Sequence, residues 1–95
     1  MRITTAVIHE QEFTFSLIEV VLPLLNDIDE CERLISSAST VLPSPIFLVA
    51  KRIDGNGYTW CNKSGNYIPE TLMKILNNFD INDPMIVWEA LDIPQ

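Results

Sequence analysis

The stretch that most constrains the fold runs from Ile46 to Lys63. Its first part, Ile46 to Ile53, holds six apolar residues interrupted only by Lys51 and Arg52, the pattern of a strand. Asp54-Gly55-Asn56-Gly57 follows at once, offering residues that accept the positive φ a tight hairpin needs. Tyr58-Thr59-Trp60-Cys61-Asn62-Lys63 then returns as the partner strand. A chain containing this unit is built around a sheet. The turn leaves the register open: a loop centred on Gly55-Asn56 sets Ile53 against Tyr58 and Lys51 against Trp60, whereas a loop of Asn56-Gly57 sets Ile53 against Trp60.

Other elements follow from composition and period. Residues 2 to 9 are rich in Ile, Thr and Val and read as an opening strand. From Pro23 onward Leu24, Leu25, Ile28, Cys31, Leu34, Ile35 and Ala38 recur at three- and four-residue steps, which predicts a helix over 23–38 with its acids mostly on the wet side. Phe13 to Leu22 allows two readings. Ser16 and Glu19 have the spacing of a capping box, while Phe13, Phe15 and Leu17 alternate with Thr14 and Ser16 as in a strand. Pro23 agrees with the strand, because a proline inside a helix costs about 3 kcal/mol whereas one at a helix start costs little. The other reading, one bent helical region over 14–38, gives four strands and two helices in a split βαβ order. Further on, Pro69 precedes a second apolar stripe, Leu72, Ile75, Leu76 and Phe79, and Asp83-Pro84 precedes a last strand over Met85 to Leu91.

The expected architecture is therefore α+β: a small antiparallel or mixed sheet of four to five strands with two helices packed on one face. The five-strand version has an early hairpin through Glu10-Gln11-Glu12. With 95 residues, 47% of them hydrophobic, residues 1–95 form a single compact domain.

Thirteen acids against six Lys and Arg give a net charge of -7, the wrong sign for general affinity to nucleic acid or anionic membranes. No uncharged apolar run is long enough to span a bilayer. Cys31 and Cys61 lack metal-ligand spacing and read as reduced thiols of a cytoplasmic protein. The charge is unevenly distributed: residues 1–42 carry -5, residues 43–76 carry +2 and residues 77–95 carry -4.

Candidate chemistry is sparse. His9 is the single histidine, which excludes a two-histidine metal site within one chain. Cys31 sits on an apolar stripe without a cation to activate it, and Asp54-Gly55-Asn56-Gly57 does not match a phosphate loop. No catalytic residue, metal ligand or cofactor is assigned. The features that suit recognition are the acidic run Asp27, Asp29, Glu30 and Glu32 and the aromatic pair Tyr58 and Trp60 on the hairpin. They point to a small acidic protein-binding module of the inhibitor, immunity or adaptor kind, docking on a basic protein partner. A homo-oligomeric assembly protein and a small-molecule or catalytic domain are the alternatives. Lys51, Arg52 and Lys63 beside the aromatics give nucleic-acid binding its one foothold.

Overall fold

The computed structural model describes residues 1–51, 58–61, 69–80 and 83–93, with Lys51 and 58–61 described through their backbone. Five strands form one mixed sheet in the order β4-β3-β2-β1-β5. β1 (Arg2–Glu10) and β2 (Phe13–Glu19) form the early hairpin, paired antiparallel from Thr4 with Glu19 to Glu10 with Phe13. Gln11, in the two-residue turn between the ends of that ladder, has φ 56°. β2 runs parallel to β3 (Ile46–Lys51), and β3 pairs antiparallel with β4 (Tyr58–Cys61). β5 (Glu89–Asp92) lies antiparallel to the other side of β1.

The stretch from Phe13 is thus a strand over Phe13–Glu19, ending short of Leu22, and Ser16 caps no helix. Its hydroxyl is buried and donates to the Pro43 carbonyl at 2.7 Å, tying β2 to the approach of β3. The helical region after it is shorter than the apolar period implies. Leu22–Asn26 forms a 3-10 segment, and α1 begins only at Ile28 and ends at Ala38. The break falls at Asp27, whose extended backbone (φ -98°, ψ 95°) lets its carboxylate accept from the Glu30 amide. A cap of this kind competes with helix continuation. α2 spans Glu70–Asn77, with Pro69 one position ahead of its first residue.

The α+β class, the mixed sheet and its two helices agree with expectation; the placement of both helices on one face does not. Ile18, Ile46 and Leu48 pack with Cys31, Leu34, Ile35 and Ala38 of α1, whereas Phe15, Leu17, Phe47 and Val49 pack with Leu72 and Leu76 of α2. Alternate residues of β2 and β3 therefore serve opposite helices, and the sheet is the middle layer of three. The physical reason lies in the strands themselves. Phe15 to Ile18 and Ile46 to Ala50 are buried without a break, and a strand buried at every position, apolar throughout over Ile46 to Ala50, needs a cover on both faces.

Two further differences are local. Residues 85–88 approach β5 without joining the ladder, so the last strand is confined to Glu89–Asp92. In the second hairpin Lys51 pairs with Tyr58 and Val49 with Trp60, a register two residues away from the nearer of the two expected. An even-numbered slip leaves every position on its own face of the sheet, so alternation cannot separate these registers.

Candidate functional site

The acidic run is placed by the start of α1. Asp27 caps the helix, and Asp29 and Glu30 occupy its first turn, where the helix dipole favours negative charge. Glu30 pairs with Arg33 one turn on. Two of the four acids thus have local structural work. Asp29 and Glu32, three residues apart and so on one side of the helix, are exposed and make no ion pair among the described residues.

Apolar groups share this end of the molecule. Ile28, which the helical period assigns to the buried stripe, is 54% exposed because the helix starts at it rather than running through it. Val21, just ahead of the 3-10 segment, is 69% exposed. Pro23, Asn26, Asp27, Ile28 and Asp29 together line an open depression. Ile28 is thus an exposed aliphatic side chain next to the Asp27 and Asp29 carboxylates. The sequence signal for Ile28 was Asp27 itself, whose spacing to Glu30 is that of a cap.

The 3-10 segment that leads into α1 also lies against β3 and β4. β4 is an outer strand of the sheet. The fold therefore brings the 3-10 segment ahead of the acidic helix start to the β4 edge, although the two are about thirty residues apart in the chain. In the ladder Tyr58 and Trp60 stand opposite Lys51 and Val49, at positions on the face that α2 covers and not on the face of α1. The side chains of Tyr58, Trp60 and Cys61 lie outside the described residues, as do Arg52, Lys63 and the turn 54–57.

A second concavity, of about 470 Å³, lies between the β1–β2 turn and α2. Glu10, Gln11, Lys74, Phe79, Asp80 and Asp83 are among its lining residues, and Lys74 leans toward Glu70 at 3.7 Å. His9 is not in that lining; its Nδ1 lies 3.0 Å from the Thr14 hydroxyl on the exposed part of the hairpin. Cys31 is buried in the α1 core, with its Sγ 3.4 Å from the Leu24 carbonyl. Among the described residues no three His, Cys, Asp or Glu side chains are grouped to hold a metal ion, and no helix is long and apolar enough to cross a membrane.

These features define a small mixed-sheet α+β domain with a helix on each face. Comparison with family models, with curated proteins and with solved structures finds no match to this chain.

Proposed function

We propose that this protein is a non-catalytic binding module that docks on a basic surface of another protein through the start of α1 and the neighbouring β4 edge. The observation that carries this reading is the exposure of Ile28 in one open depression with Asp29, with Glu32 exposed one turn on along the same side of the helix. An apolar centre without charge would favour many partners, and carboxylates without an apolar centre would give weak, fully screened attraction. Together they suit a partner that presents Lys and Arg around an apolar contact. An inhibitor, an immunity protein and an adaptor would all act this way, by covering a functional basic surface.

The test is capture of partners from the native host by the full chain and by Asp29→Lys/Glu32→Lys. These side chains are exposed, so the fold should be unchanged. The expected result is a basic protein retained by the unaltered chain at low salt, released as salt rises to roughly 0.5 M, and not retained by the variant. Identical capture by both chains overturns the proposal.

A further inference from the structure

The opposite edge of the sheet is a second surface, and its chemistry does not depend on the α1 reading. The Met1 nitrogen donates to the Ile93 carbonyl at 3.0 Å and the Ile93 amide donates to the Met1 carbonyl at 2.8 Å, so these two residues exchange both bonds. Bonded and non-bonded pairs alternate along an antiparallel ladder. With Ile3 opposite Leu91 and Thr5 opposite Glu89, those pairs are the bonded ones, and Ala90 and Asp92 turn their N–H and C=O groups away from β1. No strand among the described residues lies on that side, since β5 is the last in the sheet.

The approach to this edge is apolar. Met85 is 84% exposed and Val87 is 71% exposed, the two most exposed large hydrophobic side chains described. Their segment is not loose: a turn holds it, in which the Met85 amide donates to the Asp83 carboxylate at 2.9 Å and the Ile86 amide to the Asp83 carbonyl at 3.1 Å. Glu89 and Asp92 are exposed on the strand, opposite Thr5 and Arg2 of β1 respectively, and β5 itself carries no Lys or Arg. A second copy of this chain is a poor occupant, because it would bring the same acids and another net charge of -7 to the edge.

We propose that the β5 edge takes an extended segment of another protein as a sixth strand, one that carries basic residues three positions apart, one for each face of the sheet, with apolar residues beyond them. The partner's backbone would bond to Ala90 and Asp92, one basic side chain would meet Glu89 on the α1 face and the other Asp92 on the opposite face, and its apolar residues would extend past Glu89 toward Val87 and Met85.

A short peptide with two lysines three positions apart followed by valines is the probe, with amide exchange of the full-length chain as the readout. The Ala90 and Asp92 amides should become protected about tenfold or more at saturating peptide. Ala90→Pro removes an outward donor and leaves the bonds to β1, so it should weaken binding about fivefold to tenfold. Val87→Lys, at a position exposed enough to leave the fold intact, should weaken binding as well and covers the case in which the proline disturbs β5. Asp29→Lys/Glu32→Lys should bind the peptide at this edge as the unaltered chain does, which separates this surface from the one at α1. Protection confined to other residues, or undiminished binding by Val87→Lys, overturns the proposal. Concentration-dependent protection of Ala90 and Asp92 without peptide also overturns it, by showing that a second copy occupies the edge.

Discussion

The two faces of the sheet solve the same problem with different materials. Under α1 the core is aliphatic, built from Ile3, Ile18, Ile46, Leu48 and the helix residues Leu34 and Ile35, and it contains two buried hydroxyls. Thr5 donates to the Leu17 carbonyl and Ser16 to the Pro43 carbonyl, each at 2.7 Å. Under α2 the core is aromatic. Phe15 stands edge-on to both Phe47 and Phe79, with ring centroids at 5.9 and 6.3 Å, and Trp88 packs against the same cluster. α1 has eleven residues and α2 eight. The longer helix covers its face with many small contacts, and the shorter one depends on a few large rings that reach further from the strand. Stability on the α2 side should accordingly be concentrated in single residues, and on the α1 side distributed.

The largest expected effect tests that concentration. Phe15→Ala removes a fully buried ring that touches partners on β3 and beyond α2, and the loss should be about 3 to 5 kcal/mol, read as a lowered denaturant midpoint. Leu34→Ala, on the α1 side, should cost less than Phe15→Ala. A larger loss for Leu34→Ala would remove the distinction between the faces.

The α1 side has its own point of concentration in Ser16. Ser16→Ala leaves the Pro43 carbonyl without its donor and should cost about 1 kcal/mol, although the side chain loses only one atom. Thermal unfolding of Ser16→Ala beside Ser16→Cys would sharpen the comparison, since the thiol is a weaker donor of similar shape.

How far the fold could be read from the chain depends on which physical signal each element carries. The strand at 46 has an apolar run and α2 a helical period, and both begin where those signals put them; the second strand of the first hairpin, Phe13–Glu19, carries alternation and a capping-box spacing at once, and only the fold separates the two. The layer arrangement was also present, in the unbroken apolar run from Ile46 to Ala50, but such a run tells that both faces are covered and not by what. The helix start was obscured because Leu24 and Leu25 keep the helical period while belonging to the 3-10 segment. The candidate surface was half legible: the acids were visible as a run, but the exposure of Ile28 depends on where the helix begins. The nearness of the 3-10 segment to β4 depends on strand order, which no local pattern encodes.

The cap that moves this boundary gives a prediction of similar size. Asp27→Ala should destabilise the protein by about 1 kcal/mol, with Asp27→Asn recovering most of it, as thermal unfolding would show. Because the cap serves α1 alone, amide exchange in the variant should quicken in the first turn of α1 before it does in α2. Equal quickening in both helices would mean that the two faces unfold as one unit.

The smallest effect concerns the end of the hairpin, where the faces differ most. Toward the β1–β2 turn the α1 side is bare, with Val7, His9 and Thr14 exposed, while on the α2 side Ile8 and Phe13 are half-buried against the aromatic cluster. The hairpin tip is therefore held from one side only, and its turn contains Gln11 at φ 56°. A side chain beyond glycine is disfavoured there by roughly 1 kcal/mol, because its Cβ crowds the backbone. Gln11→Gly relieves that crowding but adds freedom to the unfolded chain, so the net gain should be about 0.5 kcal/mol, seen as a slightly raised unfolding temperature. A loss of stability would mean that the Gln11 side chain contributes packing or hydrogen bonding at the cleft it lines with α2, and would move the support of the hairpin tip from its ladder to that contact.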